Sequence, residues 1–283
     1  SSVSTWGPRV TGRTTERRED RPPDRSGATK VFVGARDYSV TMERSADLDR
    51  LYALFDRLEA RVGGAKRLAD CTGYADWPKR GVYFFFAPGE TRAESGQRRL
   101  TRVGTHAVSA GSSTALWDRL KQHYGTGARS ADHPHGGNHR GSVYRRRVGE
   151  AFVERYGLHD RYPDWGTPSV PDGRDRAAVR DEEYPLERRV SAFLRDQPFL
   201  WVALDDEPGP DSDRAFVERN AIALASNFDR RPADPRRSDW LGGYARSAKI
   251  RAGGLWNVAH AAESHDPAFL DVLERAVERT DPV

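Results

Sequence analysis

The sequence predicts an α+β protein: a small mixed or antiparallel sheet of three strands, flanked by helices, with helical extensions at its N- and C-terminal ends. Three observations predict it. Residues 81–86 (Gly-Val-Tyr-Phe-Phe-Phe) and 100–106 are two β-rich runs joined by a polar connection, the pattern of an antiparallel hairpin. Residues 199–204 form a continuous apolar run suited to a buried central strand. Around these runs lie segments with apolar side chains at helical spacing, at 45–62, 114–124, 182–195, 212–227 and from 266 onward.

Taken in order, residues 1–29 are Ser, Thr, Arg, Glu and Pro with few apolar side chains, a composition that predicts a disordered tail. Val31-Phe32-Val33 reads as a short strand. A helix over 45–62 carries Leu48, Leu51, Tyr52, Phe55, Leu58 and Val62, with Ser45 as N-cap and Gly63-Gly64 as its stop. Residues 30–80 thus form a helical brace ahead of a core at 81–228. The first strand of the core ends at Pro88-Gly89. After the helix at 114–124, a loop rich in Gly and His covers 125–142. Residues 142–153 are ambiguous and partly helical, and 156–180 read as a long surface loop, so 125–180 is an insertion in the core. A turn at 205–210 leads into the helix at 212–227, capped by Ser212 or Asp213. Residues 229–283 form a helical extension, opened by a Pro- and Arg-rich connection. Its last helix starts with Asp266 as N-cap and Pro267 at the first position, and carries Leu270, Leu273 and Val277. There are no internal repeats.

Composition narrows the function. Hydrophobic residues make up 37% of the 283, a low share for this length, so part of the chain is expected outside a packed core. No apolar run approaches the roughly 20 residues that span a bilayer, and no apolar leader is evident; a membrane role is not expected. Cys71 is the only cysteine, which excludes an internal disulfide and a thiolate-rich zinc site and suits a reducing cytoplasm. The net charge of +4 and pI near 9.3 suit a polyanionic partner. The basic residues are nearly all arginine, however, which a GC-rich genome would also produce.

Polar groups on inward helix faces are more informative. On the 114–124 helix, Leu116, Arg119, Leu120 and His123 fall within one arc of about 100°. An arginine there needs an anion. On the 212–227 helix, Glu218 shares an arc with Val217, Ala221, Ile222, Leu224 and Ala225, too deep to be a capping residue, and needs a cation. An internal Arg119–Glu218 pair would satisfy both. On the hairpin, Tyr83 faces away from Val82 and Phe84, while Arg102, Gly104 and His106 share a face of the second strand. Gly104 leaves room for a close approach.

Together these residues resemble the GIY-YIG nuclease superfamily. The matching order is Gly81-Val82-Tyr83, Arg102-Val103-Gly104, Arg119 with His123 one turn on, then Glu218 followed by Asn227. Segments 137–142, 198–201 and 218–224 are similar to those of bacterial GIY-YIG proteins of restriction or defence type. The departure is Arg102, where the family's second motif opens with tyrosine. The resemblance implies a metal-dependent endonuclease. Glu218 would hold one Mg²⁺ or Mn²⁺ per site, and Arg119 would bridge the phosphate oxygens. Tyr83 would orient or deprotonate water, its phenol aided by Arg102, Arg119 and the metal. His106 and His123 would shuttle protons or bind phosphate. Asn138, His139, Arg140 and Asn227 would contact DNA, with Gly137 allowing a close backbone approach and double-stranded DNA as the substrate. Restriction, phage defence or repair would be the setting, as a homodimer or with defence partners. A catalytically silent DNA-binding or complex-forming protein, or an RNA-cleaving nuclease, would have the same fold. Competing chemistries fit less well: none of the five lysines follows an acidic residue at the PD-(D/E)xK spacing, and His133, His135 and His139 lack the Cys or carboxylate company of a zinc site.

Overall fold

A computed structural model describes residues 35–93 and 95–283, with side chains from Met42 onward. The tail at 1–29 and the strand expected at 31–33 lie outside the described residues. The elements run α1 (Ala35–Val62), β1 (Lys66–Arg67), β2 (Gly81–Thr91), β3 (Arg98–Gly104), α2 (Leu116–Tyr124), α3 (Val143–Tyr156), α4 (Arg176–Asp196), β4 (Pro198–Ala203), α5 (Asp213–Ala225), α6 (Ala248–Gly253) and α7 (Phe269–Arg279). The fold is α+β, and its small sheet is antiparallel throughout, in the order β1-β4-β2-β3. The three expected strands are β2, β3 and β4; the two-residue β1 adds a fourth at the edge of β4.

Strand alternation sorts the core into two faces. Phe84 and Phe86 meet Phe55 of α1, at ring separations of 4.8 and 5.4 Å; α5 and α7 pack beside α1. On the opposite face, Phe85 packs on Phe199 and on Tyr144 of α3, while Tyr83 meets His123 of α2. The helices α2 and α3 thus cover the face that Tyr83 shares, and α4 packs against both of them.

Several boundaries differ from the sequence expectation, each for a tertiary reason. The first helix starts at Ala35, so Ser45 lies inside it and is not its N-cap. Its early turns are anchored by buried Arg44, which donates to the carbonyls of Leu224, Ser226 and Arg231 and to Asn227 Oδ1. Gly63 and Gly64 do end it, both at positive φ. Strand β2 continues through Pro88-Gly89 to Thr91, its register shifting between Phe86 and Thr91. Pro88 and Gly89 fall in that unpaired stretch, where a missing N–H costs nothing. The ambiguous 142–153 segment is fully helical, and the Ser142 hydroxyl accepts from the Arg145 N–H as its cap. The 156–180 stretch is a loop only as far as Asp175, the cap of α4, and it buries Tyr162 and Trp165. The α5 cap is Ser212 rather than Asp213. Helix α7 begins at Phe269, because Asp266 closes a preceding turn through Ala268 N–H and Phe269 N–H.

Candidate active site

Tyr83 is paired with Gly104 across the hairpin and is fully buried. A Cβ on Gly104 would overlap the Tyr83 phenol, so the close approach expected at Gly104 is that of this ring. The phenol Oη lies 2.8 Å from His123 Nε2, and His123 Nδ1 lies 2.8 Å from Ser142 Oγ. Burial, with Arg119, Arg102 and Arg145 nearby, drives the His123 pKa well below its usual range. The ring is therefore neutral at pH 7 and carries one N–H. Either Tyr83 donates to Nε2 and Nδ1–H donates to Ser142, or the Ser142 hydroxyl donates to Nδ1 and Nε2–H donates to Tyr83. A proton shift within the ring exchanges one arrangement for the other.

Beyond Gly104 the chain turns toward α5. The Thr105 N–H donates to Glu218 Oε1 at 3.2 Å, and the Thr105 hydroxyl donates to the Gly81 carbonyl. This ties the glutamate to the end of the hairpin that carries Tyr83. Glu218 is half-buried and makes no ion pair with any described residue. Burial raises its pKa, opposed by Arg102, the Thr105 N–H, His260 and Arg119. Arg102 is 7% exposed and also lacks a carboxylate partner. Its guanidinium lies over the Tyr144 ring at 4.6 Å and reaches the Trp256 carbonyl at 3.4 Å, while its Nε has no partner. Arg119 is half-exposed and bonds only Gln122, at 2.6 Å. The internal Arg119–Glu218 pair left open by the sequence is not formed. A buried cation and a half-buried anion that form no ion pair are costly in a folded protein. They are retained here around one strand end.

His106 completes this end. Its Nδ1 lies 2.8 Å from the Thr114 carbonyl and so carries the hydrogen, leaving a buried Nε2 lone pair with no partner. Burial chiefly, with Arg214 and Arg119, lowers its pKa to about 4. The backbone is held by buried Arg214, which pairs with Asp206 and donates to the His106 and Ala107 carbonyls.

The residues expected at DNA make several contacts within the protein, though Arg140 Nε has no partner. Asn138 caps the short helix at His139–Gly141. His139 is 1% exposed, stacks on Trp165 at 4.0 Å and bonds Glu187. Arg140 forms a two-pronged pair with Glu183. The space left by Gly137 is filled by the Arg145 guanidinium, itself paired with Glu187. Asn227 is buried between Arg44, Ala233 N–H and the Asp234 carbonyl. Sequence reasoning also missed participants. Ser142 carries no signal of its own in the sequence beyond lying in the 137–142 segment, and His260 and Glu263 carry no periodic signal.

A hairpin tyrosine, an arginine and histidine on the next helix and a glutamate on a later one thus fall on the elements that the sequence resemblance assigns them. A sequence model of the GIY-YIG domain matches residues 42–283, and the chain belongs to that family. Its substrate class is accordingly nucleic acid, and nucleases with this domain generally use divalent metals. Comparisons with curated proteins and with solved structures return no match. No group of three or more His, Cys, Asp or Glu side chains suited to a metal occurs among the described residues. A lone unpaired carboxylate does fit Mg²⁺, which keeps several waters and shares its remaining positions with substrate phosphate.

Proposed function

We propose that this protein is a metal-dependent DNA endonuclease that hydrolyses phosphodiester bonds in double-stranded DNA, with one Mg²⁺ or Mn²⁺ per site. The observation that carries this reading is the presence of two charged groups that form no ion pair, Glu218 and Arg102, at the strand end beside Tyr83 and His123. Glu218 would hold the ion, which when bound supplies Lewis-acid stabilisation of charge on the phosphate and leaving oxygen. Arg119, half-exposed and without a carboxylate, places a fork of donors for the non-bridging phosphate oxygens. Arg102 adds positive charge where the phosphorane forms. Tyr83 Oη orients the attacking water, and the His123 ring, held through Nδ1 by Ser142, fixes the phenol in place through Nε2.

The test is nicking of supercoiled plasmid with and without Mg²⁺ or Mn²⁺, beside Glu218→Ala and with RNA in a parallel arm. Metal-dependent nicking that Glu218→Ala removes supports the proposal. Cleavage of RNA alone moves the substrate, and no metal-dependent cleavage of either polymer overturns the enzyme reading. Restriction, phage defence and repair are the settings such an activity serves.

A further inference from the structure

We propose that His260, held by Glu263, is a further catalytic residue of this site: the acid that protonates the leaving oxygen of the cleaved phosphodiester. This rests on the endonuclease reading above.

Residues 256–266 are pinned at both ends to the two elements that frame Glu218. At one end, Trp256 N–H donates to the Thr101 carbonyl at 2.7 Å, and the Asn257 amide bonds Val103 N–H and carbonyl at 3.1 and 2.9 Å. These are the β3 residues just ahead of Thr105, whose N–H holds Glu218. At the other end, Asp266 N–H donates to Asn220 Oδ1 at 2.7 Å and Arg219 Nε donates to Glu263 Oε2 at 2.6 Å. Arg219 and Asn220 directly follow Glu218 on α5. The segment therefore bridges the two elements that frame the carboxylate, with His260 between its two anchor points.

Three features single out His260 within the segment. Its φ is +62°, a left-handed conformation that costs a non-glycine residue on the order of 1 kcal/mol and recurs at functional sites. Its side chain is half-exposed, so substrate can reach it. Its Nδ1 lies 2.9 Å from Glu263 Oε1, which orients the ring and leaves Nε2 as the working nitrogen. Glu263 is itself kept ionised by His260 and Arg219. In the step, the water oxygen bonds to phosphorus and the phosphorus–oxygen bond to the leaving strand breaks, its electron pair staying on that oxygen. The proton on His260 Nε2 moves to it, the water proton is lost to solvent, and solvent restores the His260 proton.

The test exploits leaving-group chemistry, since a thiolate departs without protonation. Cleavage is mapped with the full chain, and duplexes are then made with oxygen or sulfur at each bridging position of that phosphodiester. Mn²⁺ is used in every arm because it tolerates sulfur. His260→Asn is the main variant, asparagine being tolerant of a left-handed backbone, and Glu263→Gln is the second. His260→Asn is expected to cut the oxygen substrate ~100-fold or more slowly, and to cut the duplex with sulfur at the leaving position within a few-fold of the unsubstituted protein. Glu263→Gln should show a smaller loss with the same rescue. Equal losses on oxygen and sulfur, recovery at raised Mn²⁺ concentration, or no loss at all would each overturn the assignment. Failure of the unsubstituted protein to cut any duplex would instead remove the endonuclease reading beneath it.

Discussion

At the scale of single residues, the site depends on close approaches and on groups left without partners. Gly104→Ala would force the Tyr83 phenol off the hairpin, because the added methyl overlaps the ring. We expect ~1–3 kcal/mol of destabilisation and loss of nicking, read by denaturant melts beside the plasmid assay. Tyr83→Phe keeps the packing but leaves His123 Nε2 without its partner. It should slow cleavage ~100-fold or more, and retention of full activity would remove Tyr83 from the chemistry. His106 gives a pH signature. Its folded pKa, about 4, lies below the unfolded value near 6.5, so the unfolded chain binds the proton more readily in between. The stability this group contributes is complete above pH ~6.5 and is lost as pH falls toward 4, with fully buried His123 acting in the same direction. Melts from pH 7.5 to 4.5 should show that decline, shallower in His106→Asn; an unchanged slope would show that His106 titrates normally.

At the scale of elements, the Gly- and His-rich stretch and its following helices form a buried charge network. Arg145, fully buried, pairs with Glu187 and donates to the His123 carbonyl and to Ser191. Glu187 also accepts from His139 N–H. The network fixes α3 and α4 against α2, and through α2 the position of His123. Glu187→Ala would leave Arg145 buried without its carboxylate, a change that costs about 3–5 kcal/mol. A urea midpoint essentially equal to that of the unsubstituted protein would show that Arg145 finds another anion. The role expected for this stretch illustrates where sequence reading stops. Gly137, His139 and Arg140 have the composition of a phosphate-binding loop. Glu187 and Glu183, which pair with His139 and Arg140, lie more than 40 residues away, and only the packing of α4 reveals those pairs.

At the scale of the molecule, the C-terminal residues are structurally continuous with the core. Phe269, Leu270 and Leu273 of α7 are fully buried in the same cluster as α1 and the sheet. Asn257 closes the open edge of β3 by pairing its amide with Val103 as a neighbouring strand would. A chain cut after residue 228 should therefore lose cooperative unfolding, not yield a minimal nuclease. Calorimetry of the truncated chain checks this, and a sharp transition would show the core to be independent. The exposed pairs of Arg50 and Arg57 with Asp271 and Glu274 add little to this union.

The sequence by itself determined the fold class, the hairpin, the buried β4 strand and the inward placement of His123 and Glu218, because periodicity and alternation are local properties written every two to four residues. It also carried the family resemblance, through Tyr83, Arg119 and Glu218. What only the tertiary structure decided is which charges find partners. Arg119 and Glu218 stay apart, Arg102 is buried over Tyr144 without a carboxylate, Arg140 and His139 pair with carboxylates of α4, and Glu263, the partner of His260, is tied to Arg219 next to Glu218. Those outcomes depend on contacts between residues tens to more than a hundred positions apart, and no local pattern encodes whether a distant carboxylate arrives within reach.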